Sequence, residues 1–505
     1  MMPRSVDLSG VPSPNEKCQS AAVWARAQDL GDSGAYCCRL AMLSGWADHL
    51  RGLGGMSHWN RPVRMATDCS GTGAAELALA DIAPGQFAPD FVFASDIARA
   101  SQRWLRAHIT HRYIFDDMVS GRSFQKGLIT AKQHGTDDVE VCRGDLDVYV
   151  TGFPCTPFSV RNNNRQGFHA DAAATFWATA KTISSLRPRV VVLENVPGLS
   201  RDGNLDKVLH ALRVIKNYTV KPVLLNSKDF GVPQNRRRLY IMMLRHDAVR
   251  SGDVGAAFKK VIRAIVGAQC EPPQSFVGWF KELGMPLVPA KALEPLEPLE
   301  SAIKCTCTSL VRGCALHRCF CRRCLGASDA KARGCSWRNY LVKYVQSPRI
   351  QKMRRSHLQN WRRVKKDAKL KEPPRYLDLL KMKGIAMQPN TQFTQREVAT
   401  VETLSRTRNV MAKNVVFDAS QNIDRAGLRD DGLVPTLTRG CSKIFVPSIG
   451  MNLSAAQCLS LQGFDVTRLG LSEFSDEELF SLCGNAMTVP VIGTILWAML
   501  GVVSA

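Results

Sequence analysis

The chain has 505 residues, of which 45% are hydrophobic and 22% charged, and a formal net charge of +23. That balance is globular rather than disordered, and the length leaves room for two or three domains with ordinary cores. So large an excess of one sign favours a polyanionic partner, nucleic acid before an anionic membrane surface.

The 17 cysteines lie in a long chain, unlike the small secreted scaffolds that disulfides staple. Residues Met1–Asn15 hold no apolar run of the secretory kind, so reduced thiols in an intracellular compartment are expected. Val489–Ala505 carries no charge, but it is shorter than the roughly 20 residues that a membrane span needs. It also contains Pro490 and two glycines. A buried C-terminal helix, and no membrane partner, is the expectation.

Residues 1–60 form an N-terminal extension to which the sequence assigns no role. From Arg64 to about Leu244 short apolar runs alternate with helical stretches. The predicted strands are Val63–Thr67, Phe91–Ala94, Val148–Thr151, Val190–Leu193, Val220–Leu225 and Leu239–Leu244. Continuous runs such as Val190-Val191-Val192-Leu193 suit strands buried on both faces. Their alternation with helices predicts a doubly wound, parallel α/β sheet. After about Arg250 the character changes. Glu294–Glu300 reads as a short extended linker, a cysteine cluster and a basic stretch follow, and the apolar pattern returns near Gly432. The predicted organisation is an extension (1–60), a core (61–250), an insert (251–430) and a C-terminal segment (431–505) that completes the core.

The first strand runs into Cys69-Ser70-Gly71-Thr72-Gly73. Glycines there let backbone N–H groups approach a ligand at a helix N-terminus, although tight βα turns are glycine-rich for geometry alone. Asp96 follows the second strand, where an acid commonly accepts from ribose hydroxyls, and Asp116-Asp117 comes next. Together these fit an adenosine-containing cofactor without saying which.

The third strand leads into Gly152-Phe153-Pro154-Cys155-Thr156-Pro157-Phe158-Ser159. A cysteine at the C-terminal end of a central strand sits where such sheets place ligands, though a lone cysteine is more often a buried structural thiol. Residues 160–169 read as a polar loop able to close over a substrate. The fourth strand ends in Glu194-Asn195-Val196, and burial beside an apolar wall would raise the pKa of Glu194 so that it holds a proton at neutral pH. Strand alternation puts Arg236 and Arg238 on one face and Arg237 on the other. A basic surface patch is the alternative.

With these segments in order, the chain resembles the cytosine-C5 methyltransferase family. The Pro-Cys-x-Pro-Phe-Ser, Glu-Asn-Val and Gln-x-Arg-x-Arg segments, the glycine loop and Gly484-Asn485-Ala486-Met487-Thr488-Val489 carry the resemblance, with Pro435–Thr438 and Leu461–Phe464. It covers about residues 62–245 and 430–500. It implies a Rossmann-like, S-adenosylmethionine-dependent methyltransferase domain with a large inserted target-recognition domain. It also implies attack of the Cys155 thiolate on C6 of a flipped cytosine, protonation at N3 by Glu194, and base holding by Arg236 and Arg238. Ser70, Gly71, Gly73, Asp96, Asp117 and Asn485 would contact the cofactor. The chain departs from the family at Cys69, where an aromatic residue is usual, and at Asp68, since the family's acid stands one position earlier.

The insert holds Cys305, Cys307, Cys314, His317, Cys319, Cys321, Cys324 and Cys335. A subset of these fits one or two structural zinc ions, although only Cys321-x-x-Cys324 has a common ligand spacing. Free thiols in a basic loop are the alternative. Arg354, Arg355, Arg362, Arg363, Lys365, Lys366 and Lys369, around Trp361, suit phosphates or a nuclear-import signal. Double-stranded DNA is the expected partner of a monomeric catalytic unit, resident in the nucleus if the source is eukaryotic and in the cytoplasm otherwise. The same reaction on tRNA is the first rival; Ser159 and the large insert favour DNA. A catalytically silent DNA-binding protein is the second, and the presence of Cys155, Glu194, Arg236 and Arg238 argues against it.

Overall fold

The structure, a computed structural model, describes residues 45–83, 85, 87–125, 128–132, 138–142, 144, 146–154, 172–270, 275–287, 290–291, 376, 379–380, 383, 385–386, 393–421 and 426–505. The chain opens with α1 (Gly45–Gly52), β1 (Arg64–Asp68), α2 (Ala74–Ile82), β2 (Asp90–Ser95), α3 (Arg99–His108) and β3 (Tyr113–Phe115). Three strands follow, β4 (Arg122–Gln125), β5 (Leu128–Lys132) and β6 (Asp138–Cys142), and then β7 (Val148–Thr151) and α4 (Ala172–Leu186). Next come β8 (Val190–Asn195), α5 (Asn204–Arg213), β9 (Tyr218–Asn226), β10 (Gln234–Asn235) and β11 (Arg237–Arg245).

The central sheet has seven strands in the order β3-β2-β1-β7-β8-β11-β9. All its neighbours pair in parallel except β11, which runs antiparallel to both β8 and β9. The expected doubly wound parallel sheet is present, with β11 as its one antiparallel strand. Only residues 227–236 join β9 to β11, too few for the crossover that a parallel pair needs. β4, β5 and β6 form a separate antiparallel sheet packed against α4.

Period-two alternation divides each central strand between two apolar layers. Val190 and Val192 of β8 face one layer while Val191 and Leu193 face the other. Tyr240, Met242 and Leu244 of β11 separate in the same way from Leu239, Ile241 and Met243. Burying each such side chain contributes about 1.5–3 kcal/mol, which is why these runs carry no charged side chain.

The second half of the chain supplies α6 (Val254–Gly267), α7 (Phe276–Glu282), β12 (Ala290–Lys291) and β13 (Ile385–Ala386). After these come α8 (Gln395–Thr407), β14 (Phe417–Asp418), β15 (Val434–Pro435), β16 (Ile444–Val446), β17 (Met451–Asn452), α9 (Ala455–Ser460), α10 (Asp476–Asn485) and α11 (Val489–Leu500). All residues of α11 are buried. It packs against α1, α2 and α6, so its apolar sequence reflects a core position, as expected. Gly493 is what admits Trp46 of α1, because a Cβ there would lie 2.3 Å from the indole.

Apolar packing crosses two of the expected boundaries. Trp59 and the α1 residues Ala47 and Leu50 belong to the main core, as do Phe258, Val261, Phe276 and Trp279. The core thus begins before residue 61 and extends past residue 250. A smaller cluster joins Tyr376, Phe393, Val401, Leu404 and Phe417 of the expected insert to Phe445 of the C-terminal segment.

Candidate active site

The carboxyl ends of β1, β2, β7 and β8 meet at one edge of the sheet. β7 ends at Thr151 and leads into Gly152-Phe153-Pro154. Phe153 is buried against Phe176 of α4, with ring centres 5.6 Å apart. Its carbonyl accepts from Asn195 Nδ2 at 3.1 Å. The Asn of Glu-Asn-Val is thus an anchor for the segment before the expected nucleophile, a role that its sequence position did not reveal. Cys155 itself, with residues 156–171, lies outside the described residues.

Gly152 marks where four segments converge. A Cβ there would stand 3.1 Å from Met487 Cε, 3.7 Å from Glu194 Oε2 and 4.0 Å from the Cys69 carbonyl oxygen. Glu194 Oε1 is 3.0 Å from Arg238 Nε. Burial pushes the Glu194 carboxyl above the usual carboxylate range, and the Arg238 and Arg236 charges oppose it. The direction is the one that general-acid work at neutral pH requires.

The paired arginines divide. Arg238 stands at Glu194, whereas Arg236 is buried and its Nη atoms donate to the carbonyls of Leu437, Gly484 and Ala486 at 2.8, 3.3 and 2.6 Å. Burial, then repulsion from Arg238, lowers its guanidinium to about 10. Through these bonds Arg236 ties the C-terminal segment to the core. Gln234 Nε2, donating to Leu461 O, and the Ser227 hydroxyl, 2.7 Å from that of Thr488, make the same join. Within the C-terminal segment Gln462 Nε2 donates to Cys483 O and Thr488 Oγ1 to Gln462 Oε1. Gly484 lets the Thr438 backbone approach within 2.2 Å of where a Cβ would be. Asn485, exposed at the end of α10, is left facing outward beside this join.

At the glycine turn, Cys69, Gly71 and Gly73 all have left-handed φ values of 50, 56 and 64°. Gly71 N–H donates to Asp96 Oδ2 at 2.9 Å, Ser70 N–H to the Ser95 carbonyl and Gly73 N–H to the Ser70 carbonyl. The Ser70 hydroxyl bridges to Ser95 and lies 2.6 Å from Thr67 Oγ1. These N–H groups are thus satisfied within the protein, and a carboxylate stands where a dinucleotide's phosphates would need donors. The donor set suits an adenosine cofactor without phosphates. Burial raises the Asp96 carboxyl, opposed by the Ala98 and Gly71 N–H groups and by Ser101. Ile97, beside it, is 79% exposed, an apolar face at the crevice that no periodicity in the sequence marked.

Asp117 is engaged differently. It accepts from the N–H groups of Val119 and Ser120 and from the Ser120 hydroxyl. Burial alone would raise its carboxyl, but Ser120, these N–H groups and Arg122 hold it below the usual range. The carboxylate caps its own turn.

Cys305, Cys307, Cys314, His317, Cys319, Cys321, Cys324 and Cys335, and the basic stretch from Lys352 to Lys371, lie outside the described residues. Among the described residues, no group of three or more His, Cys, Asp or Glu is placed to hold a metal ion.

A doubly wound α/β core with an acid and an arginine at the carboxyl edge of its sheet defines the class. Residues 69–269 match the model of the C-5 cytosine-specific DNA methylases. The chain is 25% identical over 452 residues to a DNA (cytosine-5-)-methyltransferase, DMT5, of Cryptococcus neoformans, covering 88% of this chain and 17% of that protein. It is 42% identical over 106 residues to the type II methyltransferase M.Bsp6I of a Bacillus species, covering 20% of this chain and 33% of that protein. A solved methyltransferase structure from Entamoeba histolytica aligns with 87% of this chain and 98% of its own, at 10% identity and a TM-score of 0.39. The chain thus spans a third or less of the length of these two curated relatives.

Proposed function

We propose that the chain transfers a methyl group from S-adenosylmethionine to C5 of cytosine in double-stranded DNA. The observation that carries this reading is the Glu194–Arg238 pair at the sheet edge, facing Gly152, Met487 and the glycine turn. The family match over residues 69–269 and the basic charge of the chain support it.

Cys155 adds as a thiolate to C6 of a base flipped out of the stack. Electron density then moves toward N3 and O2. Glu194, whose carboxyl burial pushes toward the protonated form, donates at N3, and Arg238 stabilises the charge at O2. S-adenosylmethionine, when bound, supplies an electrophilic methyl group to the C5 carbon that this addition makes nucleophilic. Loss of the C5 proton to solvent, departure of the thiolate and return of the N3 proton to Glu194 restore aromaticity and release Cys155. Asp96 and the turn at Ser70, Gly71 and Gly73 hold the cofactor, with Ile97 offering an apolar face to its base and Asn485 standing close by in the C-terminal segment.

Transfer of a labelled methyl group to DNA and to tRNA, offered separately, tests the substrate. Label on tRNA alone overturns the choice of DNA. A covalent complex with 5-fluorocytosine DNA is expected for the unaltered chain and not for Cys155→Ser. Binding of that DNA without an adduct would mean a silent DNA-binding protein instead.

A further inference from the structure

Arg122 opens β4, outside the seven-stranded sheet, yet its guanidinium is fully buried at the end of β1. Its Nη1 lies 2.7 Å from Asp68 Oδ2 and its Nη2 donates to Oδ1. The guanidinium carbon sits 5.0 Å from the Phe93 ring centre and 5.4 Å from that of Phe115. Asp68 also accepts from the hydroxyls of Ser95 and Tyr149. A fork held in two planes by carboxylate and by rings has one orientation.

Asp68 immediately precedes the turn 69–73, where a non-glycine residue, Cys69, takes a left-handed conformation. Such a residue persists only where its surroundings over-determine it. Asp96 fixes the turn from the β2 side through Gly71 N–H. Asp68 enters it from the β1 side as the preceding residue, and Arg122, Ser95 and Tyr149 hold the Asp68 carboxylate. We propose that Arg122 is a positioning residue for the cofactor turn: the β4–β6 sheet delivers a guanidinium that sets Asp68 and, through it, the shape of residues 69–73. The inference rests on the reading of this turn as the cofactor site.

A purely stabilising ion pair would make a different prediction. Removing Arg122 alone strands a buried carboxylate and threatens folding. The pair Arg122→Met/Asp68→Asn removes both charges and the fork while relieving that penalty. In the full chain, calorimetric titration with S-adenosylhomocysteine is expected to show about tenfold weaker binding for this pair. The KM for the methyl donor should rise to match while the KM for DNA stays put. Glu140→Gln, on the exposed side of β6, should bind as the unaltered chain does. Unaltered cofactor affinity in the folded pair overturns the proposal. Should the pair not fold, Arg122→Lys decides, because one ammonium cannot meet both oxygens: about threefold weaker binding supports positioning and unchanged binding overturns it. Failure of the unaltered chain itself to bind S-adenosylhomocysteine overturns the cofactor reading, and this inference with it.

Discussion

The Nε of Arg238 lies 3.0 Å from Oε1 of Glu194, and the contact opposes the upward shift that burial gives the acid. Burial raises the Glu194 carboxyl and Arg238 works against it. If the protonated acid is the working form, activity falls as pH rises through this pKa. Removing the cation in Arg238→Met lets the carboxyl rise further, so the basic limb of the kcat profile should move to higher pH while kcat falls about 10²–10³-fold. Glu194→Gln keeps a donor that cannot titrate and should lose the limb. A limb unmoved in both variants would assign it to another group.

The two arginines of one short segment should fail in different ways. Arg236→Met leaves the carbonyls of Leu437, Gly484 and Ala486 without their donor, at about 1–3 kcal/mol for each buried acceptor. A large drop in the urea midpoint is expected, with activity lost through unfolding. Arg238→Met should leave the midpoint nearly in place and lose turnover. Equal midpoints for the two variants would contradict this division.

Gly484 tests the join from its other side. The methyl group of Gly484→Ala would fall 2.2 Å from the Thr438 backbone, and overpacking of this kind costs about 1–3 kcal/mol or more. Lowered thermal stability and weaker cofactor binding should appear together, because Asn485 follows directly. A variant as stable as the parent would show that the 438–439 backbone yields.

The acids after β2 and β3 are expected to differ in their effect on the cofactor. Asp96→Ala should weaken S-adenosylhomocysteine binding by about tenfold or more, since the carboxylate faces the turn through Gly71. Asp117→Ala should act first on its own turn, whose N–H groups it caps, with a smaller loss of affinity. Equal losses would give Asp117 a direct cofactor contact.

Much of this was legible from the chain. Each of the six predicted strands overlaps a strand of the central sheet, because runs such as Val190–Leu193 serve two apolar layers at once. β3 escaped notice because three residues at a sheet edge make no pattern, and β4–β6 because Arg122–Cys142 mixes charges with short apolar steps. The reversal of β11 follows from the brevity of the 227–236 connection, which the sequence displays but its apolar pattern does not weigh. In the site, Glu194 and Asp96 were readable because acids after strands are few. The parting of Arg236 from Arg238 was not, since alternation gives both the same face and only the return of residues 437–486 tells them apart.

The cysteine-rich insert makes a separate prediction. Purified under reducing conditions, the chain should carry one or two zinc ions by elemental analysis, and Cys321→Ser/Cys324→Ser should lower that content. Metal-free protein from a zinc-replete preparation would leave those cysteines as free thiols.

The burial of α11 against α1 and α2 has a consequence for biosynthesis. About 400 residues separate α2 from the helix that covers it. At roughly 5–20 residues per second, a ribosome needs on the order of 20–80 seconds to bridge that gap. Throughout this interval the apolar flank of the nascent sheet has no lid, and half-made chains are the species most exposed to aggregation and most dependent on chaperones.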